Sequence, residues 1–252
     1  MTEEMRFKRG LLPPRENAVK LKFSMYAKPS FPKRPDEFGD PDLMPDWFLL
    51  GNSKFGNCFW AGAAHETFAW SGRLGQRVHI TTKDVLSDYS DATGFNPSDP
   101  STDAGTDMAQ GAAYRRKVGI LDSSGNRHKV AAYVALKPGN LEEMLNAAWL
   151  FGAASLGVTI GRNQEEQFSR GLPWDGDPGA NAGGHAVPLI ADKGGKLFII
   201  TWGKKQEVTP AFLENYCDQA LCYLSPDMLK NGKSLDGFDL AALQSDLNLL
   251  TA

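Results

Sequence analysis

The segment Cys58–Trp70, CFWAGAAHETFAW, constrains the fold most, because its side chains would be apolar on almost every face of a helix. A helix of that kind is stable only when it is buried in a core. The chain has 252 residues, of which 42% are hydrophobic, which suits one large domain or two small ones. We therefore predict a globular protein with a buried helix that begins at Cys58.

Composition argues against several classes of function. A net charge of −3 provides no basic surface, so we expect no nucleic-acid partner and no membrane partner. The start, MTEEMRFKRG, lacks the apolar region of a secretory signal. The longest apolar run, Ala147 to Ile160, is too short to span a bilayer. The three cysteines form no CxxC motif, so we expect no metal site, no cofactor and at least one free thiol.

Residues 1–45 differ from the rest of the chain in being dense in proline and charge. This composition excludes helix and favours an extended N-terminal arm. We expect a strap laid across the surface in preference to an inhibitory propeptide, because the segment has no helical period. The sequence leaves both roles open.

Residues 46–225 carry helical patterns first and strand patterns later, which predicts an α+β fold. Capping residues predict one helix after Thr106 or Asp107 and another after Asn140. We expect the basic trio at 115–117 on an exposed helix face. A further helix is predicted over Thr209–Ala220.

The later strands include an antiparallel hairpin, HAVPLIA and KLFIITW, joined by the turn sequence DKGG. Pro188 within the first of them indicates an edge strand or a bulge. Residues 226–252 predict a helical tail docked on the core, because leucines recur there at helical spacing: Leu240, Leu243, Leu247 and Leu250.

Cys58 would lie at the start of its helix, where unpaired N–H groups and the helix dipole lower the pKa of a thiol. A cysteine there is also a common small buried side chain, so a catalytic role needs a base beside it. His185 begins an apolar strand after a glycine-rich loop, where its ring can face a cleft. His65 lies roughly 10 Å along the helix axis from Cys58, too far for a hydrogen bond. We expect His79 and His128 to be exposed.

These residues give the chain a resemblance to papain-like cysteine peptidases. GNCFW around Cys58 stands in place of the family's G-S-C-W, and GGHAV around His185 in place of its D/G-H-A-V. TWG at 201–203 stands where the family has N-S-W-G, and the matches keep the family's order over roughly residues 46–205. The Gly-Asn pair at 51–52 is also similar to papain-like proteins of tailed bacteriophages and prophages.

The resemblance implies a fold in which an N-terminal helical part carries the Cys helix. That part would pack on a mostly antiparallel β part that carries the His strand. It also implies that Cys58 is the nucleophile and His185 the general base and acid. Asn52 takes the position of the family's oxyanion glutamine, where its amide would donate to a developing negative charge. A turn-forming role for Asn52 is equally open.

The family's asparagine that orients the imidazole lies two residues before its tryptophan, a position held here by Ile200. If Ala191 pairs with Lys196, Ile200 shares the face of His185 and cannot accept a hydrogen bond. If the turn is one residue longer, Thr201 moves to that face. The count favours Ile200 as the equivalent, with Thr201 as a conditional orienter.

Two tryptophans complete the predicted site. Trp202 would shield the Cys–His pair from water, and Trp174 would provide an apolar contact in a cleft wall. Both are therefore expected to contact substrate.

Three functions are consistent with this reading. The first is a thiol hydrolase that cleaves peptide or amide bonds through an acyl-cysteine intermediate. The second is a papain fold with little or no activity, serving as a structural or binding component of a phage particle together with other phage proteins. The third transfers the acyl group to an amine, as transglutaminases do. A cytoplasmic or virion-associated location fits each of them.

Overall fold

The computed structural model describes residues 7–27, 32–228, 241–242 and 245, and these residues form an α+β fold. Residues 32–228 contain six α-helices: α1 (Cys58–Arg73), α2 (Thr82–Thr93), α3 (Met108–Lys117), α4 (Leu141–Phe151), α5 (Arg162–Ser169) and α6 (Pro210–Tyr216). Their β-strands are β1 (Ile120–Leu121), β2 (Arg127–His128), β3 (Ala132–Ala135), β4 (Ala154–Ile160), β5 (Gly183–Lys193), β6 (Lys196–Thr201), β7 (Lys204–Val208) and β8 (Cys217–Leu224).

Six of the strands form one antiparallel sheet in the order β3-β8-β4-β5-β6-β7, and β1 and β2 form a separate hairpin. The predicted hairpin of β5 and β6 is confirmed, with Gly194 and Gly195 at positive φ in a two-residue turn. The strand with Pro188 is internal, and it carries the predicted bulge between Leu189 and Ala191. The start of β5, residues 183–188, pairs with β4, and pairing with β6 begins at Leu189.

Helix α1 is buried along its length, as its composition predicts, from Cys58 to Ser71. It packs across β5, and a Cβ added at Gly62 would meet the Pro188 ring at 3.5 Å. The sheet separates two apolar clusters. One contains side chains of α4 and α6, and the other contains those of α1 and α2. The helix that begins with Cys58 is therefore clamped against the strand that begins near His185.

The capping predictions are confirmed at Asp107 and Asn140, whose side chains accept from the third residue of their helices. The helix predicted over Thr209–Ala220 is wrong in its second half, since α6 ends at Tyr216 and the following residues pair with β4. Sheet pairing overrides the local helical pattern there. The four leucines of the predicted tail helix, Leu240, Leu243, Leu247 and Leu250, lie outside the described residues, whereas the described Ala241, Ala242 and Ser245 are helical.

The basic trio at 115–117 is not an exposed face as a whole. Arg115 is 1% exposed and forms an ion pair with the buried Glu66 of α1. Its guanidinium also stacks 3.9 Å from the ring centroid of Tyr223. The two charges are buried together, which explains how a basic side chain is tolerated in the core.

The N-terminal arm is extended in its described parts, with one 3₁₀ turn at Phe23–Met25. It does not simply lie across the surface. Its apolar side chains enter the cores of the domain: Phe7, Leu11, Leu21, Phe23, Tyr26 and Phe38. The arm is therefore an integral part of the fold.

All three cysteines, Cys58, Cys217 and Cys222, are buried free thiols. No group of three or more His, Cys, Asp or Glu within the described ranges is placed to hold a metal ion. Nor does any helix of those ranges have the length and apolarity needed to cross a membrane.

Candidate active site

Folding brings Cys58 to the start of β5. Its sulfur lies 3.4 Å from the backbone nitrogen of Ala186, the residue that follows His185. Cys58 is 1% exposed and His185 is fully buried. The Cys58 sulfur thus lies against the backbone next to His185, where the first turn of α1 crosses β5.

The imidazole of His185 is fixed by Thr201. The His185 Nε2 and the Thr201 hydroxyl oxygen are 2.8 Å apart, and both side chains are buried. The other ring nitrogen, Nδ1, is buried and has no hydrogen-bond partner among the described residues. If Nε2–H donates to Thr201, the lone pair of Nδ1 is left to accept a proton.

Ile200 does not share the face of His185, which corrects the expectation from counting. Near the turn, Ala191 pairs with Phe198 and not with Lys196 as assumed. This is a shift of two residues, which by itself does not change the face of the sheet on which a side chain lies. The bulge before Ala191 adds one residue and reverses the facing. Ile200 consequently packs in the apolar cluster of α1, and Thr201 reaches the imidazole.

Trp202 covers the histidine. The two rings lie 4.8 Å apart, and Trp202 stacks on Phe7 of the arm at 4.3 Å. Trp202 has φ +44 in the tight turn between β6 and β7, a left-handed conformation that costs a residue with a Cβ about 1 kcal/mol. Strain of this kind persists where neighbouring contacts hold the residue in place.

Trp174 lies behind His185 instead of in an open wall. It is fully buried, its ring is 6.3 Å from that of His185, and its backbone N–H donates to the Glu207 carbonyl. In this closed arrangement the ring has no exposed surface, and the expected contact of Trp174 with substrate stays a prediction. Its role in the structure is to support the imidazole.

Asn52 lies near the site, and its amide is already in use. Its Nδ2 donates to the Phe55 carbonyl at 3.1 Å and to the Lys8 carbonyl of the arm at 3.4 Å. The Trp202 Nε1 donates to the same Lys8 oxygen at 3.4 Å. An arm carbonyl thus takes the donors that would face a substrate in this part of the cleft.

The arm continues past Cys58 as an extended strand. The Leu11 N–H donates to the Gly184 carbonyl at 3.1 Å, and the Leu12 N–H donates to the Thr106 carbonyl at 3.0 Å. The Thr106 N–H in turn donates to the Gly10 carbonyl at 2.7 Å. Backbone groups on both sides of the cleft are therefore satisfied by the protein's own chain.

Glycines line the path of this strand, and there is no room for larger residues. A Cβ added at Gly10 would lie 1.9 Å from the Gly56 carbonyl oxygen. Added at Gly105 or Gly184, it would lie 2.3 Å from the Gly10 oxygen or 2.4 Å from the Leu11 oxygen. The cleft is closed over Cys58, whereas a cavity of about 640 Å³ lies beside the arm and is lined by Val19, Met108, Leu136 and Gln219, among others.

Burial keeps both reactive groups neutral. It raises the pKa of the Cys58 thiol to about 11, although backbone N–H groups of Ala186, Gly10 and Phe59 favour the thiolate. Burial, aided by the charge of Arg9, lowers the pKa of His185 to about 3. The thiol pKa that we expected to be lowered is therefore raised, because desolvation outweighs the start of the helix.

The other histidines lie away from this site. His65 is buried on α1, with Nε2 3.0 Å from the Phe48 carbonyl oxygen. His79 is exposed as expected. His128 is not, since its ring lies between Asp122 and Asp227 at 3.2 and 3.0 Å, and these carboxylates raise its pKa.

Sequence reasoning missed two components of the site. The first is the arm strand Phe7–Leu12. Its sequence, FKRGLL, carries only two weak signals: a glycine between basic and apolar residues, and a position just before two prolines. The second is a pair, Asp103 and Tyr89, which holds the loops on the two sides of the cleft. Nothing in their local sequence marks these two side chains as neighbours of Cys58.

This arrangement has the papain-like α+β fold. Xylellain, a cysteine protease from Xylella fastidiosa, is similar, with a TM-score of 0.63 and 12% identity over 89% of this chain and 98% of that one. ProCathepsin B S9 from Trypanosoma congolense has a TM-score of 0.59 and 12% identity, covering 86% of each chain. The cysteine protease CMS1MS2 of Carica candamarcensis, in complex with E-64, has a TM-score of 0.57 and 13% identity over 76% of this chain and 99% of that one.

No protein-family model matches the chain, and no curated protein matches its sequence significantly. The likeness is therefore one of fold.

Proposed function

We propose that the protein is a thiol hydrolase that cleaves peptide or amide bonds and that is held closed by its own N-terminal arm. The observation that carries the proposal is the burial of Cys58 against the backbone next to His185, whose imidazole is held by Thr201. The fold of the similar cysteine proteases adds support.

In the proposed reaction the Cys58 proton passes to Nδ1 of His185, and the sulfur attacks the carbonyl carbon of the substrate. Asn52 and the Cys58 backbone N–H would donate to the oxygen that becomes negative. The C–N bond then breaks, and the amine leaves with the proton from His185. Water, deprotonated by His185, releases the acid and restores the thiol.

Thr201 has a positioning role in this proposal. Its hydroxyl accepts from Nε2–H, which leaves Nδ1 unprotonated. Trp202 covers the pair and limits the access of water. Substrate selectivity would come from the cleft that Phe7–Leu12 fills, which accepts an extended backbone and has no room for bulky side chains beside Gly56.

Two observations support a closed state. Both reactive groups are buried beneath the arm, and the neutral thiol–imidazole form is favoured there. Displacement of the arm would admit water and remove the charge of Arg9 from His185. Both changes favour a thiolate–imidazolium pair.

The same burial favours one alternative, a papain fold without catalysis that binds other proteins. The likeness to phage proteins would make that partner a virion component, but the similar structures named above come from other sources. The third possibility, acyl transfer to an amine, differs from hydrolysis only in the acceptor.

Gly10→Ala in the full chain tests the proposal, because the added Cβ has no room against Gly56 and should drive the arm from the cleft. A casein-derived mixture of peptides is the substrate, and products are identified by mass spectrometry. We expect cleavage by Gly10→Ala well above that by the unmodified chain, and none by the double variant Gly10→Ala, Cys58→Ala. Free acids as products indicate hydrolysis, and amides formed with added methylamine indicate transfer.

Gly183→Ala is the matched control, since a Cβ there meets only Arg9 Cδ, at 4.0 Å. It should behave like the unmodified chain. If Gly10→Ala opens the cleft, as judged by exposure of Cys58 to alkylation, and cleaves nothing, the non-catalytic alternative is correct.

A further inference from the structure

The two loops that flank Cys58 are joined by a single hydrogen-bonded unit. The Gly56 N–H lies 3.0 Å from both carboxylate oxygens of Asp103. The Tyr89 hydroxyl donates to the same carboxylate at 2.7 Å, and it accepts from the Gly105 N–H at 2.9 Å. One carboxylate and one hydroxyl therefore connect the loop before α1 to the loop before α3.

The peptide path runs between these two anchored glycines. The arm residue Gly10 has its Cα 3.3 Å from the position that a Cβ on Gly56 would take, and its carbonyl oxygen 2.3 Å from the corresponding position on Gly105. The next loop residue, Thr106, donates to that same Gly10 oxygen. The gap thus has the width of one extended backbone, and its two walls are the groups that Asp103 and Tyr89 hold.

The unit is itself rigidly placed. Tyr89 is fully buried in α2, and its ring stacks on Phe95 at 4.5 Å. Burial and the neighbouring Asp103 carboxylate hold the pKa of the Tyr89 hydroxyl far above its usual value, so it remains a donor. The Asp103 carboxylate accepts from the Tyr89 hydroxyl and from the Gly56 N–H, and hydrogen bonds to a carboxylate are stronger than those between neutral groups.

We propose that Asp103 and Tyr89 are positioning residues that fix the cleft beside Cys58 at the width of one extended peptide strand. The ligand that fits is a peptide bound through its backbone, with glycine or another small residue between Gly56 and Gly105. This inference rests on the proposed function for its substrate, but the geometry it assigns applies equally to the arm.

The first test measures alkylation of Cys58 by iodoacetamide at pH 8 in the full chain, with the modified cysteine mapped by mass spectrometry. Tyr89→Phe removes the hydroxyl and keeps the ring, so the walls should loosen, the arm should open more often, and alkylation should rise about fivefold. Asp103→Ala should act in the same direction more strongly. Asp103→Asn retains one acceptor oxygen and should fall between Asp103→Ala and the unmodified chain.

Tyr114→Phe is the matched control, because its hydroxyl also donates to a carboxylate, that of Asp88 at 3.1 Å, outside the cleft. It should leave Cys58 alkylation unchanged even where it lowers the melting temperature as much as Tyr89→Phe does. Equal alkylation in Tyr89→Phe and the unmodified chain would overturn the proposal. Equal increases in Tyr89→Phe and Tyr114→Phe would overturn it as well, since they would indicate general loosening.

The second test uses peptide cleavage in the Gly10→Ala background. Adding Asp103→Asn should raise KM more than it lowers kcat, because the altered cleft width weakens strand binding in the ground state and the transition state alike. A fall in kcat alone would contradict the assigned role. Alkylation does not require catalysis. It therefore tests the positioning role of Asp103 and Tyr89 even if the protein cleaves no peptide.

Discussion

Helix α1 contributes one buried side chain to each of two polar sites, and the two sites differ in charge. Near its middle, Glu66 forms an ion pair with Arg115: burial raises the pKa of the Glu66 carboxyl against the effect of Arg115, and Glu66 raises the pKa of the guanidinium against burial. At its start, Cys58 lies beside the strand of His185, and burial leaves thiol and imidazole neutral. Burial disfavours charge at both places, and only Glu66 has an opposite charge beside it that offsets part of this cost.

The two regions also differ in what covers them. The Glu66–Arg115 pair is enclosed by the core, including Trp70 and Tyr223. The Cys58 region is closed by the arm, which is held by backbone hydrogen bonds and by the buried side chains of Phe7 and Leu11. We propose that the first pair stays enclosed and that displacement of the arm opens the second.

Removing one member of the charged pair should have the largest effect. Arg115→Leu leaves Glu66 buried without its partner, and we expect the free energy of unfolding to fall by about 3–5 kcal/mol. Urea denaturation measures the change, with Lys117→Ala on the exposed side of the same helix as the control. The double variant Glu66→Leu, Arg115→Leu should recover much of the loss, and a double variant no more stable than Arg115→Leu would contradict this account.

Acid should have the second largest effect on stability, because two imidazoles are buried in neutral form. His185 and His65 have pKa values lowered by burial to about 3 and about 4, so their unfolded forms, near 6.5, bind protons first as the pH falls. Stability is therefore complete above pH 6.5 and declines below it. Each group contributes a loss of about 2 kcal/mol by pH 5.

Urea midpoints at pH 7 and pH 5 measure this loss. The raised pKa of His128 acts in the opposite sense, because its bound proton stabilises the fold below pH 6.5. His185→Gln should reduce the acid loss and His79→Gln should not. An unchanged acid loss in His185→Gln would show that this imidazole is not held neutral.

Loosening the arm should have a smaller and local effect. Leu11 is buried and its neighbour Leu12 is exposed, so the two provide a matched pair. Leu11→Ala removes buried apolar contacts and should speed hydrogen exchange at its own N–H, which is bonded to Gly184, at least tenfold. Leu12→Ala should change that rate by less than about twofold, and equal rates in both variants would contradict a seated arm.

The smallest effect is expected at Thr201. Thr201→Val keeps the shape but removes the acceptor of the His185 Nε2, and one neutral hydrogen bond is worth about 1 kcal/mol. In the Gly10→Ala background kcat/KM should fall about fivefold. Thr201→Ser should restore most of the activity, and a serine variant as impaired as the valine variant would argue against the hydroxyl.

Much of the fold could be predicted from the sequence, because α1, the caps at Asp107 and Asn140 and the hairpin turn are set by local patterns. The positions of Cys58 and His185 followed from the same patterns and from motif order. The face of the sheet on which Thr201 lies could not be predicted by counting residues, because it depends on the single extra residue of the bulge in β5. Pro188, directly before the bulge between Leu189 and Ala191, was the available signal.

The closed state could not be predicted from the sequence. It depends on backbone contacts of Gly10 and Leu11 with loops about fifty to more than one hundred and seventy residues away, and backbone groups leave no mark in a residue pattern. The raised pKa of Cys58 follows from that closure. The start of a helix is therefore insufficient evidence for a reactive thiol.

The rate of Cys58 alkylation as a function of pH tests the central claim most directly, in the full chain and in Gly10→Ala. We predict slow modification of the unmodified chain until the pH approaches 11. In Gly10→Ala we predict rapid modification below pH 8 that is lost on adding His185→Ala. Rapid alkylation of the unmodified chain below pH 8, with no change in Gly10→Ala, would contradict the account.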